Sequence, residues 1–377
     1  MRVLSVTAQK PCSTGSGVYL TEVVRSLAKM GVSQAVVAGV TREDRVDMPE
    51  GVTVYPVYFS SEKLPYPVVG MSDEMPYTST RYRDMTEEMA GQFKAAFLEV
   101  LDEAIEKENP DIILCHHLYY LTALIRAHYP AKKVYGFCHN TDLRQMESIL
   151  FERNFIRQEI PKLDRIFALQ EAQKEKIKKI YPVSEKQMTV IGTGYNSEVF
   201  KKTGIKLSRK DGKIRMIFAG KITQKKGVKS LLRALKQNCG GSRRATPDGC
   251  RYPVVFAGCV TQSRLAELYN DCDIFVLPSM YEGLPLTVIE SLACGDRVVM
   301  TKLEGIAEWL ADMVPDADIR YVLPPGMKGT DEPLEEELPA FESRLAEALR
   351  EAIEEKDTKE CDVSRISWKK IAREVIR

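Results

Sequence analysis

The stretch from Asp273 to Gly295, DIFVLPSMYEGLPLTVIESLACG, constrains the fold more than any other part of the chain. Its first half is a short apolar run that predicts a buried strand ending at Pro278. A turn follows, and then a helix is predicted from near Pro285 to Gly295. Proline suits the first helical position, and glycine suits the position after the last one. The stretch is therefore a strand–turn–helix unit, which is typical of an α/β protein.

The start of this helix predicts a ligand site. Unpaired amides and the helix dipole at an N-terminus favour an anion such as phosphate. Glu282 lies in the turn, and Glu290 lies four residues after Leu286 on the same face of the helix. Carboxylates accept hydrogen bonds from hydroxyls, so the two features together indicate a ligand that carries both phosphate and sugar hydroxyls. The alternative is an ordinary βα unit with two solvated glutamates.

Length and composition exclude several classes of protein. The 377 residues suffice for two domains, and the 54 basic and 53 acidic residues nearly balance. This balance favours neither a nucleic-acid partner nor more than a peripheral membrane contact. The nine cysteines contain no CxxC pair, and the N-terminus lacks a signal-peptide pattern, so we expect a reduced cytoplasmic protein. The four histidines lack thiolate or carboxylate partners at ligand spacing, so we expect no metal.

The first half of the chain alternates predicted strands and helices. The strand Val3–Thr7 leads into a polar loop with Gly15 and Gly17, and then into an amphipathic helix that ends near Gly31. This opening is similar to a dinucleotide-binding fold. It lacks the third glycine of GxGxxG, which argues against a dehydrogenase.

Polar residues follow two further predicted strands, PDIILCHH and KKVYGFCH. Open α/β sheets bind ligands at the carboxyl ends of their strands, so these residues are candidates for a site. The candidates are His116, His117, His139, Asn140, Thr141 and Asp142. A structural histidine is the alternative for His139. Residues 52–80 are expected to be irregular, either as an acceptor loop or as a surface excursion.

The second half repeats the pattern after a polar linker from Lys201 to Lys213. The segment KIRMIFAGKITQKKG predicts a strand and a loop in which Lys221 and Lys226 suit neutralisation of a diphosphate, although solvated lysines are the alternative. YPVVFAG, DIFVLP and DRVVMT predict further strands, and Pro339 to Lys356 predicts an acidic amphipathic helix. The fold class is therefore α/β, with two tandem Rossmann-like parallel-sheet domains.

Taken together, EGLPLTVIE, SLACG, FAGKITQKKG, the GSG loop, HNTDL, GTGYNSEVF and ISWKKIA resemble the retaining glycosyltransferases of family 4, the group 1 glycosyltransferases. The resemblance covers nearly the whole chain and implies the two-domain GT-B fold. It implies an N-terminal acceptor-binding domain over residues 1–200 and a C-terminal nucleotide-sugar-binding domain over 201–360. A final helix over 361–377 would pack back on the N-terminal domain.

The resemblance also implies roles for particular residues. Glu282 would bind hydroxyls of the donor sugar, Glu290 would bind the ribose, and His139 would lie beside the transferred sugar. Lys221 and Lys226 would hold the diphosphate, in place of the arginine usual at the first position. The loop glycines and the helix start would contact the donor through Gly15, Gly17, Gly283, Leu284, Pro285, Leu286 and Thr287. Acceptor-side candidates are His116, Asn140, Thr141 and Asp142.

The implied activity is transfer of a sugar from a UDP- or GDP-sugar to a sugar, lipid or small-molecule acceptor, with retention and without a metal or other cofactor. One segment departs from the family pattern: residues 237–251 are too short for a strand and a helix. Either the C-terminal domain lacks one βα unit or the stretch is altered. A catalytically weak nucleotide-sugar-binding protein is therefore the alternative function, and a GT-B phosphorylase or epimerase ranks below both.

Overall fold

The computed structural model describes residues 1–11, 13–204, 206, 212–238, 253–329, 332–355 and 361–377. The chain divides into two compact units. Unit 1 comprises Met1–Gly194 together with Ser367–Arg377, and unit 2 comprises Tyr195–Ile366. Part of the linker predicted from Lys201 to Lys213 lies outside the described residues.

Unit 1 is built on a parallel sheet. Its strands are β1 (Arg2–Thr7), β2 (Ser33–Val40), β3 (Thr53–Tyr58), β4 (Val69–Gly70), β5 (Thr80–Arg81), β6 (Ile112–His116), β7 (Lys133–Phe137), β8 (Arg165–Ala168) and β9 (Met188–Val190). Seven of them form one sheet in the order β3-β2-β1-β6-β7-β8-β9, while β4 pairs with β5. The chain adds β2 and β3 on one side of β1 and the later strands on the other. The loops after β1 and β6 therefore diverge, and a ligand site is expected there.

The described part of unit 1 before Gly194 also contains six α-helices. They are α1 (Gly15–Lys29), α2 (Glu87–Glu108), α3 (Tyr120–His128), α4 (Thr141–Ser148), α5 (Arg153–Glu159) and α6 (Glu171–Ile180). Local sequence sets the ends of α2: the Thr86 hydroxyl accepts from the Met89 amide, and Asn109 stops the helix in a left-handed conformation with φ 41°. Phe93, Phe97 and Leu101 of α2 are fully buried in the core of the unit.

The expectation that residues 52–80 are irregular and lie on the surface is wrong in part. Thr53–Tyr58 forms β3, which pairs in parallel with β2 at the edge of the sheet. Leu64, Val68 and Val69 are 0% exposed and belong to the main core of unit 1. The prolines interrupt the strand pattern, but the apolar residues between them are buried because burial removes their surface from water. The role of this stretch as an acceptor loop stays a prediction.

Unit 2 carries a smaller parallel sheet in its described part. Its strands are β10 (Met216–Ile217), β11 (Ile274–Leu277), β12 (Arg297–Thr301), β13 (Ile319–Val322), β14 (Met327–Lys328) and β15 (Glu332–Pro333). The first four pair in the order β10-β11-β12-β13, and the last two form a separate antiparallel pair. The helices of this unit are α7 (Val228–Asn238), α8 (Gln262–Asp271), α9 (Leu286–Ala293), α10 (Ile306–Met313) and α11 (Leu338–Glu354). Ile274 and Val276 are 0% exposed and pack in one core with Phe341 and Leu345 of α11.

The strand predicted for YPVVFAG does not form in its described residues, 253–258. Val254, Val255 and Phe256 are 49%, 86% and 71% exposed, and no described strand pairs with them. A strand needs a neighbour for its amides and carbonyls, so an apolar sequence alone does not make one. Apart from Gln237 and Asn238, the segment 237–251 lies outside the described residues.

The last helix, α12 (Trp368–Val375), belongs to unit 1. Trp368 packs against Tyr19 of α1 with ring centroids 4.9 Å apart, and the Arg165 guanidinium donates to the Glu374 carboxylate at 2.6 Å. Gly194 lies directly against this helix, since a Cβ at that position would be 2.5 Å from the backbone nitrogen of Trp368. Among the described residues, no helix has both the length and the apolar content needed to cross a bilayer.

Candidate active site

The carboxyl ends of β6 and β7 bring three of the four histidines together. His116 ends β6, and His117 follows it with φ 75°, a left-handed conformation that is rare for a non-glycine residue. His139 lies two residues after the end of β7, and Asn140 next to it has φ 72°. The His117 amide donates to the Phe137 carbonyl at 3.0 Å. Two unusual backbone conformations on neighbouring strands are typical of a functional site.

Asp142 organises these two turns. Its carboxylate is 0% exposed and accepts from the backbone amides of Leu118 at 2.7 Å and His139 at 3.2 Å. The amide of Leu143 and the thiol of Cys138 donate to its other oxygen. A carboxylate with these partners holds the backbone at the ends of both strands. Contrary to the prediction, it is not placed to contact an acceptor.

The other acceptor-side candidates differ in exposure. His116 and Asn140 are 4% and 6% exposed, whereas Thr141 at the start of α4 is partly exposed. His139 is also partly exposed. Of the predicted residues in this cluster, His139 and Thr141 therefore present the most surface to a ligand.

The three clustered histidines are neutral in the folded chain at neutral pH. Burial, followed by the neighbouring His117, lowers the pKa of His116 to about 3. Burial and the adjacent His117 and His116 hold the pKa of His139 well below its usual range. Burial also lowers the pKa of His117, although Asp142 acts in the opposite direction. These rings can therefore donate and accept hydrogen bonds, but they do not supply positive charge.

The N-terminus of α1 carries the two predicted glycines. Thr14 caps the helix, and its hydroxyl accepts from the Gly17 amide at 3.1 Å. Gly15 is exposed, and a Cβ at that position would meet no atom within 4 Å. The space beside Gly15 thus leaves room for a ligand, while the Gly17 amide already has a partner.

Tyr19 is a site neighbour that sequence reasoning missed. It lies one turn after the GSG loop, with its ring 5.2 Å from that of His139 and 6.2 Å from that of His116. Its hydroxyl donates to the carbonyl of Gly192, which lies in the GTGYNSEVF motif. The helical periodicity of GSGVYL places Tyr19 on the buried face of α1, but only the tertiary structure shows that this face adjoins the histidines.

In unit 2 the loop after β10 and the turn after β11 are packed together and joined by a hydrogen bond. The Met280 amide donates to the Lys225 carbonyl at 2.8 Å. Gly227 has φ 68°, and a Cβ there would lie 2.0 Å from the carbonyl oxygen of Pro278. Only glycine permits this close approach. The Lys226 ammonium consequently reaches the Glu282 carboxylate, with 2.5 Å between Nζ and Oε1.

The remaining predicted residues of unit 2 surround this pair. Lys221 lies in the same loop as Lys226 and is partly exposed. Helix α9 begins at Leu286 with Pro285 at its N-cap, close to the predicted start. Gly283, Leu286 and Thr287 are partly exposed, Leu284 and Pro285 are buried, and Glu290 is 6% exposed one turn into the helix. The structure thus joins Lys226 with Glu282 directly and places Glu290 on the helix that begins next to them.

Two buried hydroxyls at this end of the sheet were also missed. Ser279 and Thr301 follow or end β11 and β12, and they are 0% and 1% exposed. Neither hydroxyl has a hydrogen-bond partner within the described residues. No sequence pattern distinguishes them from other serines and threonines near strand ends. Within the same described ranges, no three His, Cys, Asp or Glu side chains are grouped so that they could hold a metal ion.

Comparisons with known proteins identify the family of the chain. Residues 13–199 match the family described as Glycosyltransferase Family 4, and residues 213–328 match the family described as Glycosyl transferases group 1. These two ranges account for most of the chain, and each falls almost wholly within one unit.

Two curated relatives illustrate the similarity. An uncharacterized glycosyltransferase of Methanocaldococcus jannaschii is 27% identical over 170 residues, which are 38% of this chain and 44% of that protein. The alpha-maltose-1-phosphate synthase of Mycobacterium tuberculosis is 22% identical over 250 residues, or 56% of this chain and 61% of the synthase. The chain therefore matches about half of the length of these relatives.

Solved structures share the fold over the full length. The sucrose-phosphate synthase of Thermosynechococcus elongatus is 14% identical, with a TM-score of 0.68 over 100% of this chain and 97% of that one. The Anabaena protein HepE, solved in complex with UDP and glucose, is 14% identical, with a TM-score of 0.60 over 100% of this chain and 98% of its own. At such identities the likeness establishes the fold, which is the GT-B class. The family matches show that the chain belongs to the group 1 glycosyltransferases.

Proposed function

We propose that this enzyme transfers a sugar from a UDP- or GDP-sugar to a hydroxyl of a sugar, lipid or small-molecule acceptor, with retention of configuration and without a metal. The observation that carries the proposal is the pairing of Lys226 with Glu282 at 2.5 Å, next to the N-terminus of α9. The cation and the helix amides suit a diphosphate, and the carboxylate suits sugar hydroxyls. Glu290, one turn into α9, suits the hydroxyls of the ribose.

Binding of the donor would replace the contact between Lys226 and Glu282 by contacts from each of them to the donor. Lys226 releases Glu282 and binds the diphosphate together with Lys221, while Glu282 accepts hydrogen bonds from the sugar. The bond between the anomeric carbon and the diphosphate oxygen then breaks, and the acceptor oxygen forms a new bond on the same face of the sugar. The leaving phosphate takes the proton of the acceptor hydroxyl. Lysine ammonium groups and helix amides stabilise the charge that develops on the leaving group.

The relatives support a nucleotide-sugar donor. The structure of HepE contains UDP and glucose, and other solved neighbours include a trehalose-6-phosphate protein of E. coli bound with UDP-2-fluoro glucose. Both share the fold of this chain, so UDP-glucose is the first donor to test. The serotype-specific mannosyltransferase WbdA of Escherichia coli is 32% identical over 75 residues, so we choose a mannose donor, GDP-mannose, as the second to test.

The test is release of UDP or GDP from a panel of sugar nucleotides, with water and with simple sugars as acceptors. Glu282→Gln and Lys226→Ala should each lower kcat by at least about 100-fold, because each removes a contact to the transition state. Glu267→Gln and Lys229→Ala, at exposed positions of α8 and α7, are the matched controls and should retain parental rates. Activity that survives EDTA supports metal independence, and parental rates in both site variants would contradict the assignment.

A second candidate function follows from the exposed apolar residues 253–258. Without a strand at this position, unit 2 would bind a nucleotide sugar but turn it over weakly. A thermal shift with UDP or GDP that is not accompanied by nucleotide release from any sugar nucleotide would favour this binding protein over the transferase.

A further inference from the structure

A hydrogen bond joins His116 and His139 at the carboxyl ends of β6 and β7 in unit 1. Their Nδ1 and Nε2 atoms are 3.0 Å apart, and their ring planes are inclined by only 10°. The two residues come from the ends of neighbouring strands. Asp142 fixes the backbone of His139 by accepting its amide proton at 3.2 Å. The bond therefore joins two rings that a rigid backbone holds in place.

A neutral pair of imidazoles places one proton between these two nitrogens, and the environment of His116 determines which ring donates it. His116 Nε2 is buried and has no hydrogen-bond partner within the described residues. If His116 Nδ1 accepted the bond, its proton would lie on Nε2 as a buried N–H without an acceptor, at a cost of about 1–3 kcal/mol. If Nδ1 donates, Nε2 is unprotonated and no buried N–H is left without an acceptor; in protein backbones, too, unpaired buried N–H groups are rarer than unpaired buried acceptors.

We infer that His116 is a positioning residue that donates from Nδ1 to His139 Nε2 and so fixes His139 as the tautomer with its proton on Nδ1. The catalytic consequence of this tautomer rests on the proposed function, whereas the tautomer itself does not. The Nδ1–H of the partly exposed His139 ring is then a hydrogen-bond donor that is available to an oxygen of a bound ligand. In this tautomer the one unprotonated nitrogen of His139, Nε2, already accepts the hydrogen bond from His116, so His139 does not act as the general base.

The surroundings of the pair are consistent with two neutral rings. Tyr19 contacts both rings edge-on, and Phe137 lies parallel to His116 with centroids 4.8 Å apart. The carboxylate of Asp142 is occupied by backbone amides and by the Cys138 thiol, not by either imidazole. Burial lowers the pKa of both histidines, as described above, so a single shared proton accounts for the contact.

The tautomer can be measured directly. Because the chain has only four histidines, ¹⁵N-histidine labelling gives four ring systems, and single substitutions assign them. Nitrogen shifts of the ligand-free protein at pH 7.5 should show His139 protonated at Nδ1 and unprotonated at Nε2. The opposite pattern overturns the inference. This measurement needs no substrate, so its outcome is independent of whether the proposed transferase activity is found.

Two substitutions at His116 test its role in turnover. His116→Phe keeps an aromatic ring next to Phe137 but removes the donor, so kcat for sugar-nucleotide cleavage should fall about 10- to 100-fold with little change in KM for the donor. His116→Asn supplies an amide N–H near the position of Nδ1 and should recover most of the lost kcat. Equal losses in both variants, or an unchanged His139 tautomer in His116→Phe, would show that His116 only fills space. If His116→Phe does not fold, the wild-type nitrogen shifts still decide the inference.

Discussion

Acid should destabilise unit 1 through its buried histidines, and His116 gives the clearest magnitude. Its pKa is 6.5 in a solvated chain and about 3 in the fold. At pH 7 both states are neutral. As the pH falls below 6.5, the unfolded chain binds a proton that the folded chain does not, so the free energy of unfolding decreases until the pH reaches about 3. Between pH 7 and pH 5 this amounts to roughly 2 kcal/mol for His116 alone. The lowered pKa values of His117 and His139 act in the same direction.

The assay uses the two tryptophans of the chain, one in each unit. In a Trp309→Phe background, Trp368 is the single tryptophan, and it is buried against Tyr19 in unit 1. Urea unfolding followed by its fluorescence at pH 7 and pH 5 gives the acid-induced loss of stability. His116→Phe should reduce that loss by roughly 2 kcal/mol. The exposed His128, changed to glutamine, provides the matched control and should leave the loss within about 0.5 kcal/mol of the parent.

The comparison depends on the difference between two pH values, so any general destabilisation caused by the substitution cancels. Equal acid-induced losses in the parent and in His116→Phe would refute the description of His116 as a buried, neutral histidine. That result would also remove one support for a single shared proton between His116 and His139.

Three further predictions concern residues outside the histidine cluster. Gly15→Val should leave thermal stability nearly unchanged, because its side chain enters open space, but should weaken UDP binding measured by calorimetry. Gly194→Ala should destabilise unit 1 by about 1–3 kcal/mol and shift the Trp368 emission, because the new methyl group overlaps the backbone of Trp368. Lys206→Met should widen the pH range over which unit 2 loses stability as the pH rises. Burial raises the pKa of Asp296 to about 7, and the contacting Lys206 opposes that rise. Without Lys206 this pKa is higher still, so the free energy of unfolding of unit 2 should continue to fall between pH 7 and pH 9. The fluorescence of Trp309 follows the unfolding.

Much of the architecture follows from the sequence because local signals and burial agree. The apolar run at Ile274, bounded by Pro278, predicts β11, and the amphipathic pattern that ends near Gly31 predicts α1. The positive φ angles of His117 and Asn140 could not be predicted, because the local sequence does not show which residue of CHHL or HNTD adopts one. They are held by tertiary hydrogen bonds, chiefly those of Asp142. The candidate site shows the same limit: sequence spacing selects the right loops, whereas the pairing of one side chain with another depends on how those loops pack.

In the predicted donor site, the contacts to phosphate and ribose depend on different parts of unit 2 from those that recognise the base. Lys226 and Glu282 are placed by the loop after β10 and the turn after β11, which bond directly through Met280 and the Lys225 carbonyl. Because β10 and β11 are paired neighbours, this arrangement requires no strand on the other side of β10. The segment 253–258 lacks a strand partner in the described part of the chain, and its apolar residues face solvent. Phosphate and ribose contacts can therefore persist while recognition of the base is altered, so this enzyme should distinguish UDP from GDP less sharply than it distinguishes a diphosphate from a monophosphate.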